Sequence, residues 1–297
     1  FPRYSEYYGT IKESGIGLAC EEAARIILSE NRPFSMETAA CDEEYEPSSE
    51  YDSSFALQIF AAREAVFKIL AKESLSIHEK LIVILDMGSK IQQCINTDEY
   101  DNIKSVVNDY LKEGIAHTLD ETRNLSDSGQ FEDISLQQGI RQILYPYEEM
   151  EVLNPEWEVI LKDIIDSLFE QMSDEEYNIL NEEFGTYMVS RAYEYRQLLE
   201  YFVFRYFAKS IYDYDFLGKC QMLVTNFFVI RQMDIIRWLD NHREYSFKDR
   251  MDVVHIFSRQ VEYSEDNIEN LYEDFIFDDI FKTDSLIAIL WIDSENI

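Results

Sequence analysis

An all-α fold is predicted for this chain: an irregular multi-helix bundle with long buried aromatic helices in its C-terminal half. Two features carry the prediction. Only 9 Gly and 5 Pro occur in 297 residues, and the turns of a β-rich fold draw heavily on both. Apolar residues also recur three and four positions apart over long stretches, the spacing of one helix face. The chain is 46% hydrophobic and 14% aromatic, with 19 Phe and 20 Tyr, so it has ample material for a core and is not globally disordered.

Each segment can be read in turn. Residues 1–19, with Gly9, Gly15 and Gly17, read as irregular, and no alternating strand pattern is assigned anywhere. Residues 21–29 read as a short helix ending before Asn31 and Pro33. Residues 41–54 are acidic and serine-rich with Pro47, and read as a loop. Residues 55–72 carry Phe55, Ile59, Ala62, Val66 and Leu70 on one helical face. Ser76 stands three positions before Glu79, the spacing of a capping box, and opens a helix to about residue 94. A further helix is expected over 99–113.

The polar stretch 117–139 reads as a long connection, and Pro146 and Pro155 bracket a short segment between them. Residues 157–171 are helical, and Ser173 with Glu176 caps the next helix. Around 201–208 the chain is apolar on nearly all sides except at Arg205, and 217–239 has the same character, so both helices belong inside the core. Ser246 with Asp249 forms a third capping pair, Ser264 opens another helix, and a last apolar piece runs to Trp291. The whole, residues 1–297, is expected to form one helical domain with a sub-boundary near 117–155.

Charge narrows the partners. The chain holds 26 Lys and Arg against 59 Asp and Glu, a net charge of −33. Nucleic acid and anionic membrane surfaces would repel it, whereas a basic partner or a cation suits it. The richest apolar run, 223–239, is broken by Asn226, Arg231, Asp234 and Arg237, so no membrane span is expected. Cys20, Cys41, Cys94 and Cys220 are widely spaced with no C-x-x-C pair. Such sparse cysteine fits a reducing compartment, and the cytoplasm is the expected location. The chain opens at Phe1, without a signal-peptide pattern, and reads as the body of a larger protein.

Several kinds of chemistry find no motif. There is no Walker A pattern and no H-E-x-x-H, and Gly15-Ile16-Gly17 lacks the third glycine of a dinucleotide fingerprint. His78, His117, His242 and His255 lie too far apart to share a metal on one helix. Arg205, Arg231 and Arg237 sit in apolar helices, so each needs an acidic or carbonyl partner, or a path to water for its head. They read as structural ion pairs or as an anion clamp. His255, Arg259 and Glu262 fall three and four apart on one helix, either as surface pairing or as a substrate-facing stripe. Tyr193, Tyr195, Tyr201, Tyr206, Tyr212 and Tyr214 form either a dense core or a lining for a cationic ligand.

Several segments together resemble the flagellin lysine-N-methylase family. Phe1-Pro2-Arg3, followed by Leu18-Ala19-Cys20 and Glu21 to Leu28, looks like the stretch just after that family's cysteine cluster. Glu149, Leu153 and Trp157, the aromatic helix from Tyr195 to Phe207, and Asp249, Ser258, Arg259, Glu262, Asn267 and Leu271 are similar to its middle and C-terminal patterns. The resemblance implies transfer of methyl groups from S-adenosylmethionine to flagellin lysines, with an iron–sulfur cluster held by cysteines. It points to Cys20 as a cluster ligand and to Arg3 and Arg25 beside the cofactors. Together with the chemistry above, it makes Tyr195, Arg205, Arg259 and Glu262 the catalytic candidates. Most cluster cysteines lie outside this chain, so as given it is expected to be incomplete for catalysis. The rival reading is an acidic helical module that binds a basic protein without chemistry.

Overall fold

The computed structural model describes residues 3–32, 34–40, 51–127 and 134–295. The acidic run Asp42-Glu43-Glu44 and Cys41 lie outside the described residues.

The expected all-α fold is present, with one departure at its start. Arg3–Tyr8 (β1) and Ile11–Ile16 (β2) form an antiparallel hairpin with Tyr8 opposite Ile11. Its two-residue turn is Gly9-Thr10, and Gly9 takes φ +60°, a region glycine enters without steric cost. Residues opposite each other share a face. Tyr4, Glu6 and Tyr8 therefore stand with Gly15, Glu13 and Ile11 on one side, while Ser5 meets Ser14 on the other, hydroxyl to hydroxyl at 2.8 Å. This alternation was present in the sequence, but it spans only six residues per strand and was read as irregular chain.

Helix α1 (Glu21–Leu28) follows, then α2 (Ser53–Leu70), whose N-cap Asp52 accepts from the amides of Ser54 and Phe55. α3 (Ile77–Asn96) starts at the expected Ser76–Glu79 capping box. α4 (Ile103–Asp109) runs through a π-helical turn, Tyr110–Gly114, into α5 (Ile115–Asp127). The expected connection at 117–139 is thus helical to Asp127. Thr118 and Thr122 gave it a polar look, but both are buried: Thr118 donates to Asp86, and Thr122 accepts from the Trp291 indole.

α6 (Leu136–Glu148) runs straight through Pro146. The proline falls in the last turn, where only one backbone bond is forfeited. α7 (Pro155–Ile164) carries its proline at the helix start and ends in a second π turn, Ile165–Glu170. α8 (Asp174–Met188) and α12 (Phe247–Val261) begin at the expected capping boxes, and α13 (Glu265–Phe277) at Ser264. Between them lie α9 (Ala192–Tyr206), the short α10 (Ser210–Asp213) and the 25-residue α11 (Phe216–Asp240), and α14 (Thr283–Glu295) closes the chain.

α11 is the axis of the molecule. It packs against α3, α6, α7, α9, α12, α13 and α14 and is buried on nearly every side. Each buried Phe, Leu or Ile on it contributes about 1.5–3 kcal/mol. Its interior charges are matched: Lys219 reaches Asp213 at 2.6 Å, Arg231 donates to the backbone and side-chain oxygens of Asn181, and Asp234 meets Arg250 at 2.5 Å. Among the described residues no helix is long and apolar enough to cross a membrane.

Candidate functional site

Two clefts flank the short helix α1. The first lies under the hairpin. Glu6 and Glu13 oppose each other across the strands, an arrangement that is unfavourable alone. Helix α2 answers it with Arg63, which holds Glu13 through two bonds of 2.7 and 2.5 Å. Helix α9 answers with Arg205, which pairs with Glu6, and Lys209 lies 3.4 Å from the same carboxylate. Burial would raise the Glu6 pKa, but the Tyr8 hydroxyl and these two cations bring it below the usual range. The Arg205 guanidinium also lies over the Tyr4 ring at 4.1 Å, close enough for cation–π attraction.

Behind the hairpin, α9 and the end of α12 meet at a buried carboxylate. Glu262, the C-cap of α12, accepts from the hydroxyls of Tyr201 at 2.8 Å and Tyr206 at 3.1 Å. Both bonds fall on one oxygen, and the buried Ser258 hydroxyl is a further neighbour of the carboxylate. The Tyr4 hydroxyl is buried and unpartnered. Burial raises the Glu262 pKa, with the hydroxyl of Ser258, those of Tyr201 and Tyr206, and Arg205 opposing it. The cleft in front measures about 680 Å³ and is walled by Tyr4, Ile27, Phe34, Tyr201 and Phe204, with Glu13 and Glu37 on its rim. That size and lining suit a small ligand or one long side chain.

The second cleft, about 670 Å³, lies at the other end of α1. Asp252, His255, Ile256 and Arg259 face it from α12, Arg237 from the last turn of α11, Pro155, Glu156, Val159 and Ile160 from the start of α7, and Glu21 from the start of α1. Nδ1 of His255 is buried there without a partner.

The proposed stripe on α12 is therefore divided. His255 and Arg259 face the second cleft, while Glu262 turns inward to the tyrosines beneath the hairpin. Arg205 and Glu262 are brought to one site, as their shared influence on Tyr4 shows. Tyr195 is placed elsewhere: its hydroxyl donates to Asp234 at 2.6 Å in a buried knot with Tyr245, Arg250 and Glu194. Arg250 is fully buried there, between two carboxylates and over the Tyr195 ring at 4.4 Å. Tyr201 and Tyr206 are thus both core and site, whereas Tyr212 and Tyr214 are exposed.

Arg3 is exposed on the outer face of the hairpin, and Arg25 is exposed and bonded to Glu22 at 2.7 and 2.5 Å. Cys20 is half-buried at the N-cap of α1, and Cys94 and Cys220 are buried. Among the described residues no three His, Cys, Asp or Glu side chains stand together as metal ligands. These residues do not fit an iron–sulfur cluster, which is usually held by four thiolates. Sequence reasoning missed Tyr4, Glu6, Glu13 and Arg63; the Tyr4-Glu6-Tyr8 alternation before a glycine turn was the one available signal.

The family description FliB lysine N-methylase C-terminal domain matches residues 63–289. The chain belongs to this family. No curated protein and no solved structure matches it. The FliB lysine N-methylase domain thus holds Arg63, Tyr201, Arg205, Arg237, Arg259 and Glu262 within the matched span, while the hairpin and α1 precede it.

Proposed function

We propose that this chain is the lysine-binding body of an enzyme that methylates lysine side chains of flagellin, in the cytoplasm, with S-adenosylmethionine as methyl donor, and that the hairpin cleft receives the lysine. One observation carries the placement. A pocket with aromatic walls is lined by Tyr4, whose buried hydroxyl has no partner, and by Tyr201, whose hydroxyl donates to the buried Glu262 behind the wall. An incoming amine would supply the hydrogen bond that the Tyr4 hydroxyl lacks, beside Tyr201. The three described cysteines are free thiols, which suits the compartment.

The chemistry requires a neutral amine, because an ammonium has no lone pair. The aromatic walls attract the ammonium as it enters, and burial among them favours its neutral form. The donor, when bound, presents an electrophilic methyl on a sulfonium. The amine lone pair forms the new N–C bond as the methyl–sulfur bond breaks with its electrons staying on sulfur. The proton lost from nitrogen passes to the Tyr201–Glu262 pair, whose raised carboxylate pKa suits it to hold a proton. Arg205 is a positioning residue: it fixes Glu6 and the Tyr4 ring, and so the hairpin wall.

The test is to incubate the full-length protein that contains this chain with flagellin and labelled methyl donor and read lysine mass increments. Increments are expected on wild type, and Tyr201→Phe should slow them by roughly tenfold to a hundredfold. Flagellin binding without increments would sink the enzymatic reading and favour an acidic binding module, for which the charge of −33 is the supporting observation.

A further inference from the structure

The lysine cleft does not end at Tyr201. A smaller chamber of about 270 Å³ adjoins it, and the two share Ile27, Phe34, Ser35 and Tyr201 as walls. One stripe of α9 runs under both. Gln197, Glu200, Tyr201 and Phe204 recur three and four positions apart, on one helical face. The first three line the chamber, and the last two line the cleft. Phe34, which borders both, is stacked on Phe67 at 4.6 Å. The chain just before it is tied to α9. Arg196 donates to Asn31 Oδ1 at 2.7 Å and to the Arg32 carbonyl, and Gln197 Nε2 donates to the Glu30 carbonyl.

These bonds leave one polar atom unused. The Gln197 nitrogen is committed to Glu30, so the oxygen of the same amide is the free end, and it is buried without a partner. Gln197 as a whole is only 6% exposed. A buried acceptor left unmade is costly, so a donor arriving there gains a hydrogen bond. The charges around it are already matched, Glu200 with Arg196 at 3.0 Å and Arg32 with Glu30 at 3.1 Å. A charged side chain of either sign would meet its like in Glu200 or Arg32, whereas an uncharged donor meets the open acceptor. Ile26 and Ile27 supply apolar surface for its carbon atoms. The spacing suits a peptide. From Gln197 to Phe204 is two helical turns, about 11 Å, so chamber and cleft lie about one turn apart. Side chains two positions apart on an extended strand share a face and stand about 6–7 Å apart.

We propose that this chamber reads the residue two positions from the target lysine, and that it takes an uncharged hydrogen-bond donor, a carboxamide or a hydroxyl, on Gln197 Oε1. The proposal rests on the lysine reading of the adjoining cleft and adds a preference for what flanks the lysine.

The test is fluorescence anisotropy of labelled peptides on the whole chain. Each peptide holds one central lysine, with Gln, Thr, Leu or Glu placed two positions away on both sides. Wild type should bind the Gln or the Thr peptide about three- to thirtyfold more tightly than the Leu and Glu peptides, and whichever is preferred tells carboxamide from hydroxyl. Gln197→Leu should erase that preference. Ile26 is exposed and lines the chamber but not the cleft, so Ile26→Trp should fill the chamber and erase the preference too, even if Gln197→Leu melts early. A preference that survives either folded variant overturns the placement. A control peptide with norleucine for lysine separates the two ideas. Binding that needs the lysine but ignores its neighbours removes only this chamber, whereas binding indifferent to the lysine removes the cleft reading with it.

Discussion

Glu262 carries a conflict between stability and chemistry. Its carboxylate is buried, and burial raises its pKa, so its ionised form costs stability at neutral pH. Glu262→Gln keeps an acceptor for Tyr201 and Tyr206 but removes the charge. The urea midpoint at about pH 8 is expected to rise, while lysine methylation falls at least tenfold. A variant that loses stability and keeps full turnover would count against the assigned role. Arg250 makes the opposite case. It has no exposed surface and neutralises Asp234 and Glu194. Arg250→Met leaves the buried Asp234 without its cation, while Glu194 keeps Arg191, and a loss of about 3–5 kcal/mol is expected in chemical denaturation.

At the scale of elements, the tightest crossing is that of α3 with α11. A Cβ added at Gly88 would meet Cys220 Sγ at 2.5 Å. Gly88→Ala therefore loses by overpacking, about 1–3 kcal/mol, more than it gains in helix propensity. The pair Gly88→Ala/Cys220→Ala should be less destabilised than the two single variants summed, as a double-mutant cycle would read. This close approach was not visible in the sequence, because it depends on residues far apart in the chain. What was visible is local. The boxes at Ser76–Glu79, Ser173–Glu176 and Ser246–Asp249 each lie within four residues, and all three form as read. The hairpin is also local, but its inward face carries two glutamates that make sense only once Arg63 and Arg205 are in place. For the same reason Arg205 and Glu262 could be named as candidates, but Tyr4 and Glu13 could not be joined to them.

At the scale of the molecule, pH divides its carboxylates into two groups. Burial alone would raise the Asp293 pKa, but Arg231, His78 and Asn181 bring it from 3.8 down to about 2. Ionised Asp293 thus adds stability above about pH 4, on the order of 2 kcal/mol, which is lost as pH falls toward 2. Asp234, Glu200 and Glu262 have raised pKa values, chiefly from burial, and their contribution declines as pH rises past the ordinary carboxylate range. The net charge of −33 adds self-repulsion in the same direction. Denaturation midpoints should therefore be higher near about pH 5 than near about pH 8, drop steeply below about pH 4, and recover with added salt at about pH 8. A profile flat from pH 5 to 8 and indifferent to salt would contradict this account.

The partnership of Glu6 with Arg205 spans 199 positions of the chain. During synthesis at roughly 5–20 residues per second, the strands leave the ribosome about 10–40 s before the arginine that neutralises them. A lone two-stranded ribbon is marginal in water, and this one also opposes Glu6 to Glu13. The wall over the lysine cleft is thus among the last parts to settle, and a nascent chain halted before α9 would carry no enclosed cleft.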